Sequence, residues 1–375
     1  MRQNSRGFSI IELLIALGLG LLVVAGVIQL FVGNSRTYDL VNAQSRLQEN
    51  ARFAFDFISR SARSAGFFGC APDQTKFAFN LTGAVGGVLN VIPEYNVTEP
   101  VDGWDSNGNG SYSPDNLTTL PRSGSGANTM VHIDGNGIDR DRLAPEADLL
   151  VLRAAEQPVA RLAQTLQPTG NPIVATPGGQ PEFRADDVLI VADCEQAALF
   201  LATETSLVGD ETLILRATST SGDPFVNSPT ITTPAGDLVP SSLSIVSRSY
   251  GAETTVARVR SDFFFVAEST DSPTFDDPDA SGQRINALWM KSGAEAPREM
   301  VQGIEDMQVL YGVDTTNDGQ LNVNQYLSID QVSDVREIVA VRVTLRVTSV
   351  DSLAELGNER LERTFTKTIF VRNMG

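Results

Sequence analysis

The stretch Gly7-Phe8-Ser9-Ile10-Ile11-Glu12-Leu13-Leu14-Ile15-Ala16 decides the architecture of this chain. From Leu13 to Gly33 there is no charged residue. A helix of that length rises about 30 Å at 1.5 Å per residue, the thickness of one hydrocarbon core. Arg2 and Arg6 lie on the short N-terminal side. The positive-inside rule puts that side in the cytoplasm and the rest of the chain beyond the membrane. An ordinary secretory signal ends in small residues at a cleavage site. Here the helical pattern runs on through Gly33-Asn34-Ser35-Arg36. Glu12 is the anomaly, since a carboxylate at mid-membrane costs about 2.5–3.5 kcal/mol. Either it snorkels to the interface of a simple anchor, or it awaits a positive group on a neighbouring subunit.

Working outward, the segment from Met1 to Ala71 contains no proline, so nothing forces a break in the helix. Leu40, Leu47, Ala51, Ala54, Ile58, Ala62 and Ala65 fall on one narrow stripe at 100° per residue. Glu49, Arg52, Asp56, Arg60 and Arg63 fall opposite, and Glu49–Arg52, Arg52–Asp56 and Asp56–Arg60 have ion-pair spacing. One helix is expected from about Phe8 to about Ala65. Its first half, 8–33, is embedded in the membrane, and its second half, 34–66, packs on a globular domain. Gly66-Phe67-Phe68-Gly69-Cys70 supplies the stop.

The chain has 375 residues and a formal net charge of −18, which disfavours a nucleic-acid partner. It has one histidine, His132, and two cysteines, Cys70 and Cys194. That excludes Cys-rich zinc sites and multi-histidine metal centres, and leaves a thin basis for a Ser-His-Asp enzyme. No Gly-rich phosphate loop follows a strand. The composition points away from an enzyme.

The register of Gly7, Phe8, Glu12 and the apolar run resembles the leader of type IV prepilins and type II secretion pseudopilins. The resemblance implies that a prepilin peptidase removes residues 1–7, cutting after Gly7, and N-methylates Phe8. It also implies that Glu12 pairs with the amine of Phe8 on an adjacent subunit during assembly.

Residues 67–375 form the globular part, with a loop-rich insertion at about 71–147 dominated by Gly, Asn, Asp, Ser and Pro. Strands are expected at 148–153, 187–192, 199–202, 213–216, 244–250, 256–260, 262–267, 287–290 and 363–371. Val335 to Val347 alternates strongly, the mark of a half-buried strand. One long helix followed by many strands gives an α+β fold with antiparallel sheets, a pilin-like architecture. The stretches Glu146–Arg153, Val191–Cys194, Glu299–Glu305 and Leu310–Asp314 resemble PilW-type minor pilins.

That second resemblance implies a role in initiating and assembling type IV pili, within a minor-pilin complex at the pilus tip, in support of motility and adhesion. Its implied partners are other minor pilins and the major pilin through the N-terminal helix, a tip adhesin of the PilY type, the prepilin peptidase and inner-membrane lipid. The expected location is the inner membrane, with the domain periplasmic, and then the pilus tip. The rivals are a J-type minor pseudopilin of a type II secretion system and a membrane-tethered periplasmic binding protein or enzyme.

Two thiols in an oxidising compartment point to a Cys70–Cys194 disulfide, with two separate buried thiols as the alternative. No cofactor is required, but Asp314, Thr316, Asp318, Gln320 and Asn322 follow the outline of a calcium loop. Its twelfth position is Gln325, not the bidentate Glu, so affinity would be weak. Asp105, Asn107 and Asn109 repeat that outline with fewer charges. An Asx-rich turn without an ion is the plainer reading of both loops. His132, near Asp134, Asn136, Asp139 and Asp141, reads as an ordinary loop histidine.

Overall fold

The computed structural model describes residues 10–69, 77–83, 95–108, 112–113, 129–130, 138–139, 142–167, 171–215, 225–232, 238–240, 249–252, 254–275, 282–293, 295–316, 322–353 and 359–371. The single long helix runs Ile10–Ser64, as its periodicity requires. Leu47, Ala51, Ala54, Ile58, Ala62 and Ala65 are all buried, and Leu40 is half-buried where the stripe leaves the domain. Phe55, Ser59 and Ser61 widen the stripe. Of the expected ion pairs, Asp56–Arg60 closes at 3.1 Å between exposed side chains, and such a pair adds little. Gly66 ends the helix at φ +79°, a conformation without steric cost only for glycine.

The strand Thr255–Glu268 organises the domain. The two strands expected at 256–260 and 262–267 are this one element. Ser261 and Asp262 break the apolar run without ending it, because both side chains find buried positions. Its first half pairs antiparallel with Val188–Ala192 and Ala160–Leu162. Its second half pairs antiparallel with Leu149–Ala155 and Asn286–Ser292. The strand is therefore common to two sheet segments. Val188–Ala192 continues as a hairpin into Ala197–Leu201. Among the described residues one pairing departs from the antiparallel expectation: Phe77–Gly83 lies parallel to Ala197–Leu201. The strand expected at 213–216 occupies Glu211–Leu215 and forms a hairpin with Glu204–Val208. Of the strand expected at 244–250, residues 244–248 lie outside the described residues, and Tyr250 bridges Leu166.

A separate four-stranded antiparallel sheet closes the chain, in the order Gln325–Leu327, Ile304–Val313, Ile338–Thr348, Glu362–Phe370. The alternation from Val339 is real, but the strand starts at Ile338. Residues 335–337 make a 3-10 turn, whose entry Asp334 accepts a hydrogen bond from the Arg336 amide. Met307, Val309, Tyr311, Val341, Val343, Leu345 and Ile369 share one core with the helix stripe and with Leu150, Leu152, Phe264, Val266 and Leu288. The helix is thus clamped against both sheets.

Asp148 forms the joint between the two sheets. Its amide donates to Met307 O (2.8 Å), and its carboxylate accepts from the Ser106 amide (2.9 Å) and the Val309 amide (2.7 Å). Beside it, Tyr311 crosses the strand Val101–Ser106 at Gly103 and reaches Asp102 O at 3.4 Å. A Cβ on Gly103 would collide with the Tyr311 hydroxyl and the Leu149 carbonyl. Gly103→Ala should therefore lower stability by about 1–3 kcal/mol, the usual cost of overpacking, read as a fall in melting temperature. A variant that melts with the wild type would mean that the joint yields freely.

Candidate assembly interface

Every residue from Ile10 to Asp39 is exposed, including Leu13, Leu14, Leu21, Leu22, Leu30 and Phe31. An 18-residue window of this segment has a mean hydropathy of 2.7, and no part of that window is buried inside the molecule. Apolar surface on this scale needs lipid or partner helices to cover it. Glu12 sits in the first helical turn, where a carboxylate complements the positive end of the helix dipole. It is the only charged residue between Ile10 and Ser35. Gly18, Gly20, Gly26 and Gly33 have nothing within 4 Å of an added Cβ, so the domain does not explain them. Gly7 and Phe8 lie outside the described residues.

The docked half of the helix is fixed by polar pins as well as by its stripe. Asn50 Nδ2 donates to Gln302 O at 3.1 Å. Ser61 Oγ donates to Asp262 Oδ2 at 2.6 Å, and Ser292 Oγ donates to Asp262 Oδ1 at 2.7 Å. Arg260 Nε completes the carboxylate's partners at 3.0 Å. Beyond the helix, the Gly66 amide donates to Arg153 O and the Ala155 amide donates to Phe67 O. Asp262 is 2% exposed, so the bonds to its carboxylate act in a low-dielectric setting. A charge directly before the apolar run Phe263-Phe264-Phe265 was its one trace in the sequence. Asn50 left none, because a polar helix residue ordinarily faces water.

Alongside this docked half runs a groove of about 730 Å³, between helix residues Asp39, Arg46 and Phe53 and the segments 300–302 and 348–353.

The remaining sequence-derived sites are dispersed. Cys194 occupies the turn of the hairpin Val188–Ala192 to Ala197–Leu201, where Asp193 Oδ1 accepts from the amides of Glu195 and Gln196 (both 2.8 Å). Cys70 lies outside the described residues. Gly69, its neighbour in sequence, packs where an added Cβ would stand 3.2 Å from Ala192 Cβ.

Both oxygens of Asp314 are occupied within its own loop. Oδ1 accepts from the Thr316 amide and hydroxyl, and Oδ2 accepts from the Asn322 amide at 3.0 Å. The Asn322 amide bond and the Thr316 bonds hold the Asp314 carboxyl below the usual range. Asp318 and Gln320 lie outside the described residues, as do Asn109 and His132. Burial pushes the Asp105 carboxyl up, and the nearby Asp330 charge adds to it. Among the described residues no group of three or more His, Cys, Asp and Glu side chains could hold a metal ion.

Residues 263–370 match the family model for type IV pilus-assembly protein W, PilW. Residues 2–28 match the prokaryotic N-terminal methylation motif. The first match runs from the middle of the organising strand to the last strand of the closing sheet. The second covers the leader-like segment from residue 2 and the exposed helix as far as Ile28. No curated protein and no solved structure matches the chain significantly.

Proposed function

We propose that this chain, similar over residues 263–370 to PilW and over residues 2–28 to the N-terminal methylation motif, is a type IV minor pilin of the PilW type that starts and assembles pili from a minor-pilin complex at the pilus tip. Its work is assembly, not turnover. Prepilin peptidase cuts after Gly7 and methylates Phe8. The apolar helix is stored in the inner membrane with the domain on the periplasmic side. Glu12 and the amine of Phe8 on a neighbouring subunit then set register, since pairing relieves a carboxylate that is costly in an apolar setting. The domain selects neighbours, among them other minor pilins, the major pilin and a tip adhesin of the PilY type. Motility and adhesion follow from the pili so built. One observation supports this most directly: an uninterrupted exposed helical segment, Ile10 to Ser35, whose sole charge is Glu12.

The deciding experiment is the N-terminal mass of the chain purified from its native membrane. A start at N-methyl-Phe8 is the expected result; a start at Met1 in cells with active prepilin peptidase would overturn it. Glu12→Ala should leave the chain in the membrane but remove it from pili. Loss of the gene should remove surface pili. Lost exoprotein secretion with pili intact would instead indicate a pseudopilin.

Two site assignments belong to this reading. Cys70 and Cys194 form a disulfide, supported by the packing of Gly69 against Ala192. The loop from Asp314 to Asn322 binds calcium weakly, with Asp314 exchanging its loop hydrogen bonds for the ion. Millimolar calcium should then raise the melting temperature of the chain, and no shift and no calorimetric heat would remove the assignment.

A further inference from the structure

The closing sheet presents one face to the core and leaves the other open. On the open face, Leu310 is paired with Arg342, which is paired with Thr368. One register step away, Tyr326 lies beside Gly312, Ala340 and Phe370. The Arg342 guanidinium stacks on the Tyr326 ring at 3.4 Å, and its Nε donates to Thr368 Oγ1 at 3.4 Å. Tyr326 itself packs close to Gly312, where an added Cβ would stand 3.0 Å from its Cε1. Phe370 is 59% exposed and Leu310 39%. Outside the helix, the described residues include only two other large apolar side chains with such exposure, Leu207 and Val208.

Arg346, on the same face, is held by Glu146, Asp306 and Glu362. No carboxylate among the described residues pairs with Arg342. Tyrosine, phenylalanine and arginine are the residues that anchor protein interfaces, and a cation held in place by stacking loses little freedom on binding. Cation–π stacking leaves the outer guanidinium N–H groups available to a carboxylate.

We propose that this face, at Leu310, Tyr326, Arg342 and Phe370, docks another protein of the filament tip. That partner sets a carboxylate on Arg342 and an apolar side chain against Leu310 and Phe370. The occupant is a different protein, because a chain of net charge −18 repels its own copies. This inference rests on the pilus-assembly reading above.

Its test compares surface pili in cells lacking the gene and in cells expressing the wild type, R342E, R342K, F370S or L207S. Chain level and melting temperature are measured alongside. R342E and F370S should lose pili as the deletion does, at unchanged chain level and melting temperature. R342K should retain part of the piliation, and L207S, on the edge strand Glu204–Val208 of the other sheet, all of it. If the deletion abolishes pili while R342E and F370S keep them, this inference fails and the pilus reading stands. If the deletion itself leaves pili intact, the pilus reading fails. The purified wild-type chain in detergent should sediment as R342E does; a wild-type dimer that R342E dissociates would make the occupant a second copy and overturn the proposal.

Discussion

Replacing Cys70 and Cys194 by serine should lower the unfolding free energy of the purified chain by about 4–5 kcal/mol, the chain-entropy value for a closed loop of this length. The two cysteines are 124 residues apart in sequence, so the unfolded chain gains much freedom when the link is cut. The folded state should change little. The Cys194 turn is held independently by the Asp193 carboxylate, and the helix end is held by its Gly66 and Phe67 backbone bonds. Denaturant melts of the detergent-solubilised chain, with and without reductant, provide the measurement. Reductant should bring the wild type to the level of the double serine variant. Equal midpoints for wild type and variant, or free thiols in the untreated wild type, would refute the link.

The second large effect is a loss of stability as pH rises from about 4 to about 7. Burial pushes the Asp148 carboxyl up to about 7, helped by Asp105 and Asp306, against the lowering effect of the Ser106 and Val309 amides. Its unfolded value is about 3.9. Between these two pH values the folded chain holds a proton that the unfolded chain does not. Stability from this group is therefore fully present below about pH 4 and lost as pH climbs through about 7. The full loss approaches about 4 kcal/mol by linkage.

Burial raises Glu99 and Asp306 too, so they slope the same way. The acid side is governed by groups of opposite sign. At Asp334 the Arg336 hydrogen bond lowers the carboxyl, and at Glu268 the Thr274 and Ser272 bonds outweigh burial to do the same. Their stabilisation is lost as pH falls below the carboxylate range. Maximum stability should lie near pH 4–6, checked by urea unfolding from pH 3 to pH 9. Asp148→Asn should flatten the neutral slope and cost about 1–3 kcal/mol at pH 5, because its amide group meets a backbone N–H. A wild type equally stable at pH 5 and pH 8.5 would contradict this account.

Much of this was written in the sequence. The helix was legible because its signal is local: an uncharged run, then a stripe with a 3.6-residue period. The strand at Ile338–Thr348 was legible because one face is core and the other solvent. The strand Ile304–Val313 escaped notice because a register shift between Ile304 and Asp306 breaks its alternation. The strand Thr255–Glu268 looked like two because Ser261 and Asp262 are buried polar residues, whose partners Ser61 and Ser292 are remote in sequence. Glu12 stood out because its cost is set by its immediate surroundings. Arg342 and Tyr326 could not stand out, since only cross-strand register brings them together.

The helix that is bare over its first half and docked over its second has a mechanical consequence. A pull on the bare half is directed along the helix axis, parallel to the surface on which the other half lies. The Asn50–Gln302 and Ser61–Asp262 bonds, with the buried stripe between them, are then loaded side by side, in shear. Bonds loaded together share the force, whereas bonds loaded in sequence yield one at a time, as in a zipper. A load entering through the membrane segment is therefore resisted by the whole length from Leu47 to Ala65 at once. Beyond it the load passes into the organising strand, and through that strand into both of its sheet segments.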